Sequence, residues 1–222
     1  MRLATVAERV ANVRQRVERA AERAGRSPTE VTIVAVSKGF PPSAIEEAAA
    51  AGIAHLGENR VQEAAAKIPA LGSLPVTWHL VGHLQSNKAK TALELFDIIH
   101  SVDSLHLAEV LSQRAQGPQP VLLEVNVTGE ASKFGFPPGE VASAAEAVAR
   151  LPRLDLRGLM AVAPFGNDPE TVRPVFRELR RLRDALGLRE LSMGMTDDFE
   201  VAIEEGATLI RIGRAIFGER MP

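Results

Sequence analysis

The residue with the clearest chemical potential in this sequence is a lysine at the end of an apolar run. The run covers residues 31–38 and reads Val-Thr-Ile-Val-Ala-Val-Ser-Lys, with β-branched side chains at both parities. This pattern is typical of a strand that is covered on both faces of a parallel sheet. Alternation places Lys38 on the same side as Val34 and Val36. These apolar neighbours lower the local dielectric constant, which disfavours the charged form of the amine. Lys38 is therefore a candidate nucleophile that would form a Schiff base with a carbonyl compound.

A lysine that ends a strand is also commonly a solvated loop residue whose ammonium extends into water. Few amines compete with Lys38, because the only other lysines are Lys67, Lys88, Lys90 and Lys133. The choice between the two interpretations depends on which residues lie at the ends of the other strands.

Arg211 is the second candidate residue, and it lies inside an apolar segment, residues 208–213. Alternation turns Ile210 and Ile212 toward covering helices and turns Arg211 toward the opposite, inner side. A buried guanidinium needs a partner. The structural alternative to a functional role is a salt bridge to an acidic neighbour such as Glu124.

Two glycine-containing segments follow predicted strands, residues 192–196 (Ser-Met-Gly-Met-Thr) and residues 213–218 (Gly-Arg-Ala-Ile-Phe-Gly). Backbone N–H groups at a helix start bind anions when glycine allows close approach, and barrel phosphate sites often follow strands 7 and 8. Either segment alone is more often a simple turn. Together they predict a phosphate site.

Strand and helix patterns alternate along the whole chain, and an amphipathic helix with valines at 6, 10, 13 and 17 precedes them. Eight such units in 222 residues favour a closed (β/α)8 barrel of the α/β class over an open doubly wound sheet. Residues 1–222 are predicted to form one domain. The predicted strands are 31–38, 54–58, 78–82, 98–102, 120–127, 154–162, 190–193 and 208–212.

Chemistry in such a barrel is located at the carboxyl ends of the strands. These ends are unusually polar in this sequence, which predicts a site there. The residues at or near them are Lys38, Asn59, His83, Asn126, Ser192 and Arg211.

Composition excludes several classes of function. The chain has no cysteine, so it has no thiolate zinc site, no disulfide and no cysteine nucleophile. A net charge of −2 without a long basic run argues against nucleic-acid or membrane-surface binding. The N-terminus lacks the apolar core of a signal peptide, and no apolar run approaches the ~20 residues of a membrane span. We expect a cytoplasmic protein with a small-molecule partner.

Two motif-like patterns are excluded by geometry. His79 and His83 have the spacing of a metal-binding helix, but on a strand they lie ~13 Å apart and cannot bind one ion. The glycines of residues 129–139 lack the spacing of a dinucleotide fingerprint. Residues 128–139 are predicted to form a long loop that could act as a lid.

A lysine ending strand 1, an inward arginine on strand 8 and a phosphate site after strands 7 and 8 describe a barrel that binds pyridoxal 5′-phosphate (PLP). The sequence resembles the pyridoxal phosphate homeostasis protein family, relatives of the N-terminal barrel of alanine racemase (fold type III). The segments that carry the resemblance are Ala35 to Lys38, Gly57 to Asn59, Trp78 to Lys88, Leu156 to Met160, Leu191 to Asp198 and Arg211 to Gly218.

The resemblance implies a role for each matching residue. Lys38 would form the internal aldimine, Arg211 would donate to the pyridine nitrogen, and Asn59 would lie beside the ring. The phosphate would be held by Ser192, Thr196 and the backbone around Gly213 and Arg214.

Two positions depart from the family pattern. Gly39 and Phe40 follow the lysine where a threonine is frequent. Arg214 stands where a small hydroxyl residue is common, although a guanidinium is itself a charged donor to phosphate.

An arginine at the pyridine nitrogen keeps that nitrogen unprotonated and weakens the cofactor as an electron sink. The chain has no tyrosine, which excludes a two-base racemase that uses a tyrosine. The resemblance implies storage, buffering or delivery of PLP without established catalysis, and transient contact with PLP-dependent apoenzymes. It assigns no catalytic residue and no metal. The alternatives are a fold type III amino acid racemase or decarboxylase, and a lysine-dependent aldolase that needs no cofactor.

Overall fold

Eight parallel strands form a closed barrel, in which each strand pairs with its neighbours in chain order. The computed structural model describes residues 4–130, 133–164, 166 and 168–219. The barrel closes where Thr32 of the first strand pairs with Leu209 of the last. The predicted (β/α)8 barrel is thus confirmed. Its strands are β1 (Thr32–Val36), β2 (His55–Glu58), β3 (Thr77–Leu80), β4 (Ile98–Val102), β5 (Gln119–Glu124), β6 (Leu154–Met160), β7 (Glu190–Ser192) and β8 (Leu209–Ile212).

Helices cover the outside of the barrel and include the predicted extra helix before β1. Thr5 and Glu8 begin this helix with reciprocal side-chain to backbone hydrogen bonds of 2.7 and 3.2 Å. Its buried valine face packs against the second, eighth and ninth helices. The helices are α1 (Val6–Arg23), α2 (Pro42–Ala50), α3 (Val61–Lys67), α4 (Ala89–Leu95), α5 (Leu105–Arg114), α6 (Val141–Ala149), α7 (Arg173–Ala185), α8 (Phe199–Glu204) and α9 (Arg214–Phe217).

The hydrophobic core has an outer and an inner part. The outer part lies between strands and helices and contains Ile210 and Ile212, as the alternation predicts. The inner part fills the barrel and contains Leu209, two residues before the inward Arg211. The inner cluster consists of Val34, Val36, Val81, Ile98, Leu122, Met160 and Leu209.

Five strands (β1, β3, β5, β6 and β7) end earlier than predicted, and the early ends of β1 and β5 change the course of the chain next to the site. β1 ends at Val36, so Lys38 lies in the turn that follows, beside Gly39 with a φ of +78°. β5 ends at Glu124, because the backbone of Asn126 donates to the carbonyl of Phe136 at 3.0 Å and turns toward the loop. The loop predicted for residues 128–139 is present, and residues 131–132 of it lie outside the described residues.

Candidate functional site

A cavity of about 540 Å³ opens at the carboxyl end of the barrel. Its apolar lining includes Val36 and Val81 of the inner cluster. The structure brings six of the seven predicted binding residues to this one cavity: Lys38, Asn59, Thr196, Arg211, Gly213 and Arg214.

Lys38 reaches the cavity from the turn after β1. The residue before it is still hydrogen-bonded to the neighbouring strand, since the Ser37 N–H donates to the Gly57 carbonyl at 2.9 Å. The residue two positions after it, Phe40, also lines the cavity and stacks on Phe217 of α9 with ring centroids 5.2 Å apart. Phe40, which departs from the family pattern, therefore connects the turn that carries Lys38 to the last helix, α9.

Arg211 is 5% exposed and uses two neutral acceptors. Its Nη1 donates to Oγ of Ser192 at 2.6 Å and its Nη2 donates to the carbonyl of Ala161 at 2.8 Å. A guanidinium has five N–H donors, so donors remain for a ligand in the cavity that Arg211 lines. Burial lowers the pKa of Arg211 to about 10, a value at which the side chain is cationic near neutral pH, while Asp198 and Glu124 act in the opposite direction.

The structure does not contain the alternative predicted from the sequence, a salt bridge between the described side chains of Arg211 and Glu124. Within the described part of the chain, no ion pair joins the two side chains, and Glu124 influences the guanidinium from a distance. Burial and the neighbouring Asp103 raise the pKa of Glu124 to about 7. The cation of Arg211 is thus held by a hydroxyl and a carbonyl and is not neutralised by direct contact with an acid.

Ser192 is the predicted binding residue that does not line the cavity. It is completely buried beneath Arg211. Its Oγ accepts the hydrogen bond from Arg211 and lies 2.8 Å from Nδ1 of His100. Its position at the end of β7 places the hydroxyl against the guanidinium and outside the lining of the cavity. Ser192 therefore contacts Arg211 where the resemblance implied a phosphate.

Three histidines continue this hydrogen-bonded chain across the barrel. His100 Nε2 lies 2.8 Å from His79 Nδ1, and His79 Nε2 lies 3.0 Å from His55 Nδ1. Burial lowers the pKa of His79 to about 3 and that of His100 well below its ordinary value, so both rings are neutral. We call His55, His79, His100 and Ser192 the histidine relay.

The histidine relay was not predicted from the sequence. A signal was present, because His55, His79 and His100 all occupy inward positions on the neighbouring strands β2, β3 and β4. No group of three or more metal-ligating side chains that could hold an ion occurs among residues 4–130, 133–164, 166 and 168–219.

The turns after β7 and β8 form the remaining wall of the cavity. The backbone N–H of Ala215 donates to Oγ1 of Thr196 at 3.4 Å, which joins the two turns. Asp198 accepts from the backbone of Met195 at 2.5 Å and so shapes the first turn. Gly194, in that turn, has a φ of +91°.

Arg214 also lies on this wall but is engaged with carboxylates. Its guanidinium pairs with Asp197 and, at 3.5 Å, with Glu219. Asp197 and Glu219 line the cavity as well. Arg214 thus brings a positive charge to the predicted phosphate position together with its own counter-ions.

Two polar residues near strand ends lie outside this cavity. His83 pairs with Asp103 at 3.0 Å and stacks on Phe134 with ring centroids 3.8 Å apart. Asn126 donates to the carbonyls of Glu130 and Lys133 and orders the loop after β5. A neighbouring cavity of about 570 Å³ is lined by His83 and Lys88 and shares Asn59 with the first cavity.

No helix of the described residues has the length and apolar character of a membrane span.

The fold and the site together define a class of protein. Residues 9–221 match the family model described as alanine racemase, N-terminal domain. The site consists of an amine in the turn after β1, a guanidinium on β8 and two polar turns around one cavity.

Relatives in this class carry a more specific name. A pyridoxal phosphate homeostasis protein from Pseudomonas aeruginosa is 48% identical and covers 98% of this chain and 97% of its own length. One from Aquifex aeolicus is 45% identical and covers 96% of this chain and 97% of its own length. The chain belongs to the pyridoxal phosphate homeostasis protein family, as the sequence resemblance predicted.

Solved structures agree with this assignment. The structure of PipY from Synechococcus elongatus with PLP bound is 41% identical, covers 96% of this chain and 100% of that chain, and has a TM-score of 0.84. A histidine racemase from Leuconostoc mesenteroides is 16% identical with a TM-score of 0.73, and the match covers 97% of this chain but 57% of that chain. At 16% identity the racemase shows the shared barrel alone.

Proposed function

We propose that this protein binds PLP through Lys38 and stores, buffers or delivers it, without established catalysis. The observation that carries the proposal is the placement of Lys38 and Arg211 on one cavity, together with the turns after β7 and β8. The relatives' names and the PLP-bound structure of PipY support the same cofactor.

The residues present fit such a cofactor. PLP supplies an electrophilic aldehyde, and Lys38 is the lysine that lines the cavity and offers an amine to hold it. Arg211, buried and cationic, would donate to the pyridine nitrogen. Thr196 and the backbone of Gly213 and Arg214 would hold the phosphate, and Asn59 would lie beside the ring.

The environment of Arg211 favours retention of the cofactor over catalysis. Arg211 remains a hydrogen-bond donor, because its contacts are neutral and its pKa of about 10 keeps it protonated. A donor at the pyridine nitrogen keeps that nitrogen unprotonated and limits the cofactor as an electron sink. A racemase with a tyrosine base is excluded, because the chain has no tyrosine. We therefore assign Arg211 to holding the cofactor in a weakly reactive form.

Three further proposals complete this function. Residues 1–222 act as one cofactor-binding domain, since all eight strands belong to one barrel. The protein works in the cytoplasm. Delivery involves transient contact with PLP-dependent apoenzymes at the barrel end where the cavity opens.

The first experiment is an absorption spectrum of the protein with PLP, before and after reduction with borohydride, followed by mapping of the adduct by mass spectrometry. We expect a yellow protein and one reduced adduct on Lys38, absent from Lys38→Ala. Lys90→Met, on the exposed face of α4, serves as the control and retains the adduct. A colourless protein without an adduct would favour the cofactor-free aldolase, and an adduct on Lys88 or Lys133 alone would place the site elsewhere.

A second experiment separates a carrier from an enzyme. The loaded protein is mixed with a PLP-dependent apoenzyme, and recovery of that enzyme's activity is compared with recovery in free PLP. The loaded protein is also incubated with individual amino acids. We expect transfer without sustained turnover. Sustained turnover of an amino acid that disappears in Lys38→Ala would instead establish an enzyme.

A further inference from the structure

A buried ion pair lies beside the turn that carries Lys38. Glu58, at the end of β2, is fully buried, and its Oε1 lies 2.9 Å from Nζ of Lys67, at the end of α3. The Lys67 side chain is 11% exposed. Buried ion pairs add little net stability compared with well-packed apolar side chains, because both charges lose their hydration. The presence of this pair therefore points to a role other than general stabilisation.

The contacts of the pair converge on the residue that precedes Lys38. The hydroxyl of Ser37 donates to Glu58 Oε1 at 2.7 Å. Nζ of Lys67 donates to the main-chain carbonyl of Ser37 at 2.8 Å. The Ser37 hydroxyl is thus hydrogen-bonded to Glu58, and the Ser37 carbonyl is hydrogen-bonded to Lys67.

A third charged residue holds the other side of Lys38. The backbone N–H of Gly39 donates to Glu63 Oε1 at 2.6 Å. The same oxygen lies 2.6 Å from Nζ of Lys67. Glu58, Glu63 and Lys67, which we call the lysine clamp, therefore bind the residues on both sides of Lys38. Ser37 is held by its hydroxyl and its carbonyl, and Gly39 is held by its backbone N–H.

The contacts within the lysine clamp use all three hydrogen-bond donors of Lys67. An ammonium has three donors, and the Lys67 ammonium has three acceptors, the Ser37 carbonyl and one oxygen each of Glu58 and Glu63. Lys67 is thus committed to the backbone of the turn, which separates its role from that of the lysine lining the cavity.

The turn needs such support, because β1 ends at Val36 and the sheet ladder does not extend to Lys38. Two backbone hydrogen bonds flank it, from Ser37 N–H to the Gly57 carbonyl at 2.9 Å and from Phe40 N–H to the Ser37 carbonyl at 3.0 Å. A lysine side chain is long and flexible, so the direction of its amine depends on how firmly its Cα is held.

We propose that Glu58, Glu63 and Lys67 are positioning residues that orient the Lys38 amine toward an aldehyde in the cavity. This inference rests on the proposed function, because it concerns how Lys38 captures PLP. It also explains why an ionisable residue, Glu58, occupies a fully buried position in the segment Gly57 to Asn59 that contributes to the family resemblance.

The test measures capture and recognition separately. Apoprotein is mixed with PLP, and the rate of growth of the imine absorption band is followed by stopped flow. Affinity is measured in parallel with pyridoxine 5′-phosphate, which has the ring and the phosphate but no aldehyde. Glu63→Ala and Lys67→Met should slow capture roughly 10- to 100-fold, because the amine is misplaced. Their affinity for pyridoxine 5′-phosphate should stay within about twofold of wild type, since the clamp does not line the cavity.

The conservative variant and the control sharpen the result. Glu63→Gln retains an oxygen that accepts from Gly39 and should recover most of the rate lost in Glu63→Ala. Glu46→Gln, on the exposed face of α2, should capture PLP at the wild-type rate. Glu63 is partly exposed, so its variants keep the test valid if Lys67→Met does not fold.

Two outcomes would overturn the proposal of the lysine clamp, and a third would overturn the proposed function. Folded Glu63→Ala that captures PLP at the wild-type rate overturns the lysine clamp. So does a parallel loss of capture and of pyridoxine 5′-phosphate affinity, which would indicate a merely structural role. Failure of the wild-type protein to form an imine at Lys38 overturns the proposed function itself.

Discussion

Nη1 of Arg211 donates to Oγ of Ser192 at 2.6 Å, wholly inside the barrel. The hydroxyl is therefore one of the groups that hold the guanidinium at the floor of the cavity. Because Ser192 Oγ also lies 2.8 Å from His100 Nδ1, the position of Arg211 depends on residues that do not line the cavity.

Replacement of Ser192 by alanine should weaken both the fold and PLP binding. A buried cationic donor loses an acceptor, which costs roughly 1.5–3 kcal/mol of unfolding free energy. Denaturant unfolding and titration with PLP measure the two effects. Ser101→Ala on β4 is the control, because the Ser101 hydroxyl is buried without a hydrogen-bond partner among the described residues. Equal losses in both variants would contradict the role of Ser192.

The histidine relay should have one arrangement of protons. Since Arg211 donates to Ser192, the serine hydroxyl can donate to His100 Nδ1, and His100 Nε2–H then donates to His79. The same reasoning gives an Nε2–H on His79 that donates to His55. Nitrogen-15 NMR of labelled histidine should show the Nε2–H tautomer for all three rings. An Nδ1–H on His100 would show the reverse direction.

The relay should make the protein sensitive to acid. Burial depresses the pKa of His79 to about 3 from an ordinary value of 6.5. The unfolded state therefore binds more protons between these values, so the stability that neutral His79 provides is complete above pH 6.5 and is lost as pH falls toward 3. His79→Gln should flatten this part of the dependence of unfolding free energy on pH. An unchanged slope in the variant would contradict the prediction.

Glu124 should produce a dependence of opposite sign. Its pKa is raised from 4.5 to about 7, chiefly by burial. The folded state therefore binds the extra proton, and the stability contributed is present below pH 4.5 and is lost as pH rises through about 7. Thermal unfolding of Glu124→Gln across this range should lack the loss seen in wild type. If wild type and variant lose stability in parallel, Glu124 is not the group responsible.

Gly194→Ala should destabilise the turn after β7. Gly194 has a φ of +91°, and an added Cβ would lie 2.6 Å from the Cβ of Ala202 and 2.9 Å from Cα of Phe199. We expect a loss on the order of 1–3 kcal/mol in unfolding free energy and weaker binding of phosphate-bearing ligands. Gly117→Ala is the control, because an added Cβ there meets open space. Similar stability of the two variants would contradict this account.

The barrel and its two principal residues could be predicted from the sequence. Alternation within an apolar strand decides which side chains face inward, and it predicts correctly that Arg211 of β8 lies inside the barrel. Lys38 also reaches the predicted cavity, although it does so from the turn that follows β1. The turns that bear Thr196 and Gly213 could also be predicted, because glycine after a strand marks the start of a turn.

The remainder depends on distances across the barrel that a single sequence does not contain. Alternation shows that Ser192 faces inward but not that it lies a layer below the cavity, since depth is set by strand tilt and stagger. The contacts of His79 with histidines on both neighbouring strands depend on the same stagger. Lys67 belongs to an ordinary helical pattern, and its contact with the Ser37 carbonyl arises from how α3 packs.

The direction of the histidine relay has an electrostatic consequence for the cation that it meets. With the protons placed on Nε2, every N–H bond points away from Arg211, and the negative end of every ring dipole faces the guanidinium. The dipoles of the three imidazoles therefore stabilise the buried guanidinium, as oriented water molecules stabilise a cation in solution. Together with the carbonyl of Ala161, these neutral groups solvate Arg211 inside the barrel without a carboxylate in direct contact with it.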